Sequence, residues 1–359
     1  MCSLYHATMI QRKRDYRLTG PENALAAKRG HNMIRWYAPP LPRKRLAELM
    51  ERRDGPAIRD TLLWFALLAL SGAGLAATWP TAWCIPFAIA YGLLYGTASD
   101  SRWHECGHGR AFKTKWMNDA VYQIACFMIL REPIVWRRSH ARHHTNTLIV
   151  GWDPEIAVER PPSLFGLFLN LFAIRSGTHA FASMVRHAAG RRGADEATFI
   201  PKSDWPSVFR TARIWLSIYA AVAAACIVSG SILPAMLVGL PSFYGAWLQV
   251  IFGIAQHGGL AEDVEDHRLN SRTVRMNPVF RFLYWNMNFH LEHHMFPLVP
   301  YHALPDLHRE IAGDCPPPAR SLLHAYCEIV PALLAQRRDP THQIDRVRAG
   351  LRPANSQDA

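Results

Sequence analysis

Residues 80–108 read PTAWCIPFAIAYGLLYGTASDSRWHECGH, an apolar run that leads directly into two histidines four residues apart. From Thr81 to His108 is 28 residues, roughly 42 Å as continuous helix at 1.5 Å per residue. The hydrocarbon of a bilayer is only about 30 Å thick. His104 and His108 should therefore stand on a helical extension just beyond the membrane core. Neighbours four apart share one helix face, so both imidazoles point the same way.

Two further boxes repeat the pattern: His140-Ala-Arg-His143-His144 and His290-Leu-Glu-His293-His294. A single pair of this spacing is often two solvated surface histidines. Of 18 histidines, however, eight fall in these three boxes, and no packing requirement selects histidine. Neutral imidazole is the commonest protein metal ligand, and a structural zinc takes only four ligands. Eight converging histidines therefore imply more than one ion. All-imidazole coordination suits zinc, copper, iron or nickel and does not choose among them.

Half of the residues are hydrophobic and 19% are charged, segregated into apolar runs and basic stretches. Four runs have the 17–25 residues of a spanning helix: about 61–78, 80–99, 211–229 and 231–256. They form two hairpins whose turns, near Trp79-Pro80 and Gly230-Ser231, hold no Lys or Arg. Arg43, Lys44, Arg45, Arg52, Arg53 and Arg59 precede the first run, and Arg210 and Arg213 enter the third. The positive-inside rule then puts both termini and every box on the cytoplasmic side. The expected fold is an all-α integral membrane protein, with four transmembrane helices in two hairpins under a cytoplasmic helical cap that holds the metal site. The formal net charge of +12 would also suit nucleic acid, but no nucleic-acid motif accompanies it, so a bilayer is the expected partner.

The expected organisation is a cytoplasmic N-terminal segment over 1–54, a membrane domain over 55–310 and a C-terminal helix with a disordered tail over 311–359. Arg12, Lys13 and Arg14 lie in an N-terminus without an apolar core, so no signal peptide is expected. Seven scattered cysteines, Cys2 and Cys106 among them, form no CxxC and no disulfide framework. The apolar stretches 119–130 and 164–174 are too short to span and should lie in the interface or pack under the cap. The linker 190–206 should be loop, and the chain beyond about Pro340 disordered. His257 ends the fourth run, where a surface role and a ligand role are equally open. Glu105 and Glu292 inside the boxes, and more weakly Asp153 and Asp100, are candidates to accept the distal N–H of a ligand histidine. Trp103 and Trp285 should wall the site or mark the interface. His302 and His308 follow the last box without ligand spacing and should be solvated.

The order HxxxH, HxxHH, membrane hairpin, HxxHH resembles the membrane fatty acid desaturase family. Asn277-Pro278 through Trp285-Asn286-Met287-Asn288-Phe289-His290-Leu291-Glu292-His293-His294-Met295-Phe296-Pro297 is similar to its third-box motif almost residue for residue. His144-Thr145-Asn146-Thr147 and Trp152-Asp153-Pro154-Glu155 also fit. The resemblance covers about residues 55–310. It implies two non-haem Fe ions, with O₂ as co-substrate and two electrons consumed per turnover. The same ligands permit desaturation or hydroxylation of an unactivated C–H bond. It also implies that His257 is a ninth ligand beside His104, His108, His140, His143, His144, His290, His293 and His294. The first box has three intervening residues where the acyl-CoA branch usually has four, and Gly253 stands where that branch has an Asn joined to metal through water. An acyl-CoA substrate is therefore disfavoured. The chain resembles a bacterial branch that includes both the desaturase completing rhizobitoxine and lipid enzymes, and the resemblance implies an acyl chain or a small amphipathic metabolite as substrate.

No cytochrome b5-like or ferredoxin-like motif occurs in the chain, so electrons should come from a separate ferredoxin-like donor and its reductase. Arg137, Arg138 and Arg142 would steer an acidic donor, although phospholipid headgroups explain the same charge equally well. Two other functions compete. His104-Glu105-Cys106-Gly107-His108 matches the HExxH zinc-protease pattern, with Glu105 as general base, but this leaves the other boxes unused. A metal transporter would place its histidines near the bilayer midplane, whereas these boxes lie outside the runs. Metal content separates the three.

Overall fold

The computed structural model describes residues 14–31 and 34–346. Cys2, Arg12, Lys13 and the tail from 347 lie outside the described residues. Among the described residues all regular structure is helical. Extended pairing is confined to isolated bridges, Thr273 with Phe289 and Val274 with Ala319.

Two helices, Arg43–Thr78 and Lys202–Ser229, are long and apolar enough to cross a membrane. Their long continuous parts are Asp54–Thr78 and Trp205–Ser229, which contain the expected runs 61–78 and 211–229. Only 22% and 11% of their apolar windows are buried by protein. Leu62, Leu70, Ile214 and Ile227 face outward, as they would against lipid rather than water.

The expected second span is helix Cys84–Gly92, a π turn over Leu93–Thr97 and helix Ala98–Gly107, running on without a break. A π turn frees carbonyls, and here a partner takes one up. The Trp64 indole N–H donates to Leu94 O at 2.8 Å. The fourth expected span differs. Residues 231–256 are not one helix but three pieces: Leu233–Leu237, Pro241–Tyr244 and Trp247–His257. Pro234 and Pro241 lack the N–H a continuing helix needs, and Gly239 turns the chain at φ +98°. The break lets Gly245 pack onto the π segment. A Cβ there would lie 1.9 Å from Gly92 O, and Thr97 Oγ1 donates to Gly245 O at 2.9 Å.

Helix Lys115–Met128 buries Val121, Tyr122, Ala125 and Cys126 and packs along Ala98–Gly107. Residues 164–174 form helix Leu164–Asn170 and lead into helix Ile174–Ala188, with Phe165, Phe168, Phe172 and Ile174 exposed. The linker 190–206 is turns and two single 3-10 turns before the Trp205 helix. Beyond Pro318 comes helix Leu322–Gln336. The described part of the expected disordered tail is docked instead. Ile344 N donates to Gly259 O at 2.8 Å and Gln336 Nε2 to His342 O at 2.9 Å. The polar composition there conceals one apolar anchor, Ile344, which sits on Gly259 where no Cβ intervenes.

Candidate metal centre

Each box is delivered by a helix end. His104 lies in the last turn of Ala98–Gly107 and His108 directly follows it. His140, His143 and His144 occupy the last turns of Pro133–Thr145, His257 ends Trp247–His257, and His290, His293 and His294 form one short helix, His290–Met295. Four chain segments far apart in sequence thus meet at one place.

The nine histidines form two groups: His104, His108, His140, His144 and His293, and His143, His257, His290 and His294. In each group the ring nitrogens on offer lie within 4.8 Å of one another. The groups are adjacent, with the His144 and His294 rings stacked at 4.4 Å between centroids. The Nε2 atoms of His140 and His144 are 3.1 Å apart, as are those of His144 and His293. Those of His257 and His290 are 3.0 Å apart and those of His290 and His294 2.9 Å. An imidazole nitrogen sits about 2.0–2.1 Å from a transition metal, so donors at right angles round one ion are about 3 Å apart. The donor sets fit metal ions. Both nitrogens of His104 and Nε2 of His108 have no hydrogen-bond partner although buried, a costly arrangement without a ligand.

Three of the outer nitrogens are held by acceptors, whereas Nδ1 of His104, His144, His290 and His293 has no hydrogen-bond partner. His143 Nδ1 donates to both Asp153 oxygens at 2.9 and 3.0 Å, His140 Nδ1 to Glu155 Oε2 at 2.9 Å, and His257 Nδ1 to Asn270 O at 2.7 Å. Such contacts fix the tautomer that leaves Nε2 free. Burial, reinforced by neighbouring imidazoles, pushes His104, His140, His144, His290, His293 and His294 well below the ordinary histidine range. It lowers His108 to about 4 and His257 to about 3. Burial thus favours neutral imidazole, the ligating form, at these eight positions. At His143 burial also lowers the pKa, but the Asp153 carboxylate outweighs it and the net shift is upward.

The carboxylates inside the boxes behave differently from Asp153. Glu105 accepts the Tyr301 N–H at 3.0 Å and stands 3.5 Å from His104 Nδ1 and 3.7 Å from His293 Nδ1. These are packing distances rather than hydrogen bonds, and burial raises its pKa to about 8. Glu292 touches no ligand candidate through its carboxylate; it accepts from Thr273 Oγ1 and His308 Nδ1. The expectation that Glu292 holds a ligand histidine is thereby corrected, and so is that of a solvated His308. His302, half-buried, lies edge-on to Tyr301. Asp100 pairs with Arg131 at 2.6 Å. Trp103 walls the first group, 5.1 Å from the His140 ring, and Trp285 stacks on Tyr301.

Sequence reasoning missed Glu155 and the Asn270 carbonyl as acceptors. Glu155, two residues beyond Asp153, was open to the same argument; a backbone carbonyl carries no sequence signal. As the base of an HExxH protease Glu105 would have to face the metal, yet it approaches His293 from Nδ1, the side away from the Nε2 contact with His144.

A family model described as fatty acid desaturase matches residues 77–325. The chain is 32% identical over 105 residues to a Δ12-acyl-lipid desaturase of Punica granatum, covering 28% of this chain and 25% of that protein. It is 24% identical over 272 residues to a chloroplastic sn-2 acyl-lipid omega-3 desaturase (ferredoxin) of Arabidopsis thaliana, covering 69% and 58%. It is 34% identical over 95 residues to an endoplasmic reticulum omega-6 fatty acid desaturase of Glycine max, covering 24% of each. The matches thus span from about a quarter to somewhat over half the length of these relatives.

Proposed function

We infer that this chain, which belongs to the fatty acid desaturase family, is an O₂-dependent membrane desaturase. In this reading it converts a –CH₂–CH₂– unit of an acyl chain, or of a small amphipathic metabolite, into –CH=CH–. Two hydrogens leave the substrate; with O₂, two electrons and two protons from outside they end as two waters. The observation that carries the reading is the pair of adjacent histidine groups, five and four strong, at the end of apolar helices.

Two non-haem irons would be held by His104, His108, His140, His144 and His293 on one side and by His143, His257, His290 and His294 on the other. Such a pair supplies the oxidising power to break an unactivated C–H bond. The protein's own part is preorganisation. Asp153, Glu155 and the Asn270 carbonyl orient three of the rings, and burial favours the neutral form of the imidazoles other than His143. Trp103, buried against the His104 and His140 rings, helps exclude water from the first group.

We further propose four spans, the second and the broken fourth packed at Gly92 and Gly245, with the helix ends and both termini cytoplasmic. The basic residues flanking the first and third runs support this orientation. The outward Leu, Ile and Phe side chains of the spans and of helices Leu164–Asn170 and Ile174–Ala188 support a bilayer as their solvent. Electrons would come from a separate acidic, ferredoxin-like donor and its reductase. The exposed Arg137 and Arg138, on the helix that carries His140, His143 and His144 inward, are the proposed landing site.

The test is mass spectrometry of lipids and small metabolites from cells with the wild-type chain or His143→Ala. A product two mass units lighter than its precursor, present only with wild type, supports the reading. A product sixteen units heavier would replace desaturation by hydroxylation.

A further inference from the structure

His267 belongs to neither histidine group, yet it joins one of them to the surface. Its ring is buried, and its centroid stands 5.0 Å from that of His294, a member of the four-histidine group. Trp36 stacks on His267 at 4.0 Å and only 10° from parallel. Trp36 itself is half-buried, so ring contacts run unbroken from solvent through His267 to His294. The outer ring is fixed in place. Its indole N–H donates to Thr145 O at 3.0 Å. The next residue, Tyr37, packs its ring 3.6 Å from the Arg268 guanidinium, which Asp266 holds at 2.6 Å. Thr145 also lines an open groove with Arg138, Ala141, Arg142, Asn146 and Trp152. Arg142 donates there to neutral groups, Trp152 O and the Thr198 hydroxyl, and Arg35 beside Trp36 is exposed. The groove that reaches Trp36 is therefore basic.

We propose that Trp36 and His267 are the electron entry to the four-histidine group, used by an acidic iron–sulfur donor docked over the groove at Thr145. Electronic coupling falls off exponentially with distance and is carried better by touching π systems than across gaps, so stacked rings shorten the effective path. Covering the His267–Asn270 turn would need only an apolar side chain, whereas a parallel indole adds that coupling. Each passage moves one electron: the donor's reduced cluster is oxidised, one ferric ion becomes ferrous, and no bond forms or breaks. Two passages supply the two electrons of a turnover. The other aromatic pair near the centre, Trp136 and Trp103, meets edge-on at 84°, with the Arg131 guanidinium over both rings, and offers poorer overlap. The inference rests on the metal reading above and adds to it the residues through which reduction proceeds.

The probe is reduced plant-type ferredoxin, mixed without oxygen or substrate into the ferric, iron-loaded full chain in detergent. Its own visible band reports its oxidation, with iron counted in each sample, and its concentration is raised until the rate saturates. At that limit Trp36→Leu should be slower by at least about tenfold, equivalent to roughly 1.4 kcal/mol of barrier, with Trp36→Phe in between. Reduction by dithionite, which needs no docking, should be the same in all three. A Trp36→Leu protein with full iron and the wild-type limit overturns the proposal. Equal slowing with dithionite also overturns it, because the change would then lie at the metals. So does a fully loaded wild type that ferredoxin fails to reduce. If Trp36→Leu does not hold iron, Trp36→Met and Trp36→Phe decide by the same criteria. A wild type that binds no iron fails at the elemental analysis instead, and takes the metal reading down with the proposal.

Discussion

Both carboxylate oxygens of Asp153 lie within 3.0 Å of His143 Nδ1, and Asp153 Oδ2 also accepts the Leu148 N–H at 2.8 Å. The carboxylate is therefore fixed before it fixes the imidazole. His143 is the only member of the second group on the Pro133–Thr145 helix, whose other two box histidines belong to the first group. Asp153 thus sets the ring that ties this helix to both groups.

Asp153→Asn keeps the shape but exchanges the charged acceptor for a neutral amide. Losing such an outer partner typically costs about 10–100-fold in metal affinity, and that range is expected here. Competition with a graded chelator would measure it, with helicity as the control for folding. Unchanged iron retention would reduce Asp153 to a loop-folding residue.

His308 and His302 should part company. The His308→Ala change leaves the buried Glu292 with one partner fewer, at a cost of about 1–3 kcal/mol. Because Glu292 sits between His290 and His293, iron retention should fall as well. His302→Ala breaks no such contact and should behave as wild type. Thermal unfolding and iron content of the two purified variants provide the comparison, and equal behaviour would contradict it.

His187 gives a pH signature away from the metal site. Its ring is fully buried, with Nδ1 2.7 Å from Glu132 and Nε2 3.1 Å from Glu196. Burial lowers its pKa, but the two carboxylates outweigh burial and raise it from 6.5 to about 9. A raised folded pKa contributes stability in full below the unfolded value and loses it as pH rises through the folded one. The advantage of wild type over His187→Gln should therefore be greatest below about pH 6.5 and fade toward pH 9. Unfolding midpoints across that range measure it, and a difference that grows with pH would contradict the assignment.

Much of the centre was legible because histidine spacing on helices is a geometric code. His104 and His108, or His290 and His294, can only face one way once the segment is helical. His257 needed the tertiary fold, since nothing local distinguishes a ligand at a helix end from a surface residue. The broken helix over 231–256 was misread because hydropathy registers apolar content and not whether backbone N–H groups are present. Pro234, Pro241 and Gly245 carried the contrary signal. His308 looked solvated because its partner, Glu292, is close in sequence but joined to it only after the chain turns at Pro297 and Pro300. The docked stretch to residue 346 has one apolar anchor, Ile344, and is otherwise held by polar contacts from Gln336 and Arg160 to the His342 carbonyl, which composition does not register.

The central claim is that nine histidines hold two irons. Elemental analysis of the full chain, expressed with iron and purified under reducing conditions, tests it most directly, with His257→Ala and His108→Ala as site-selective variants. The account predicts close to two irons per wild-type chain and a substantial loss from each variant. A single tightly held zinc per chain, unaffected by His257→Ala, would contradict it.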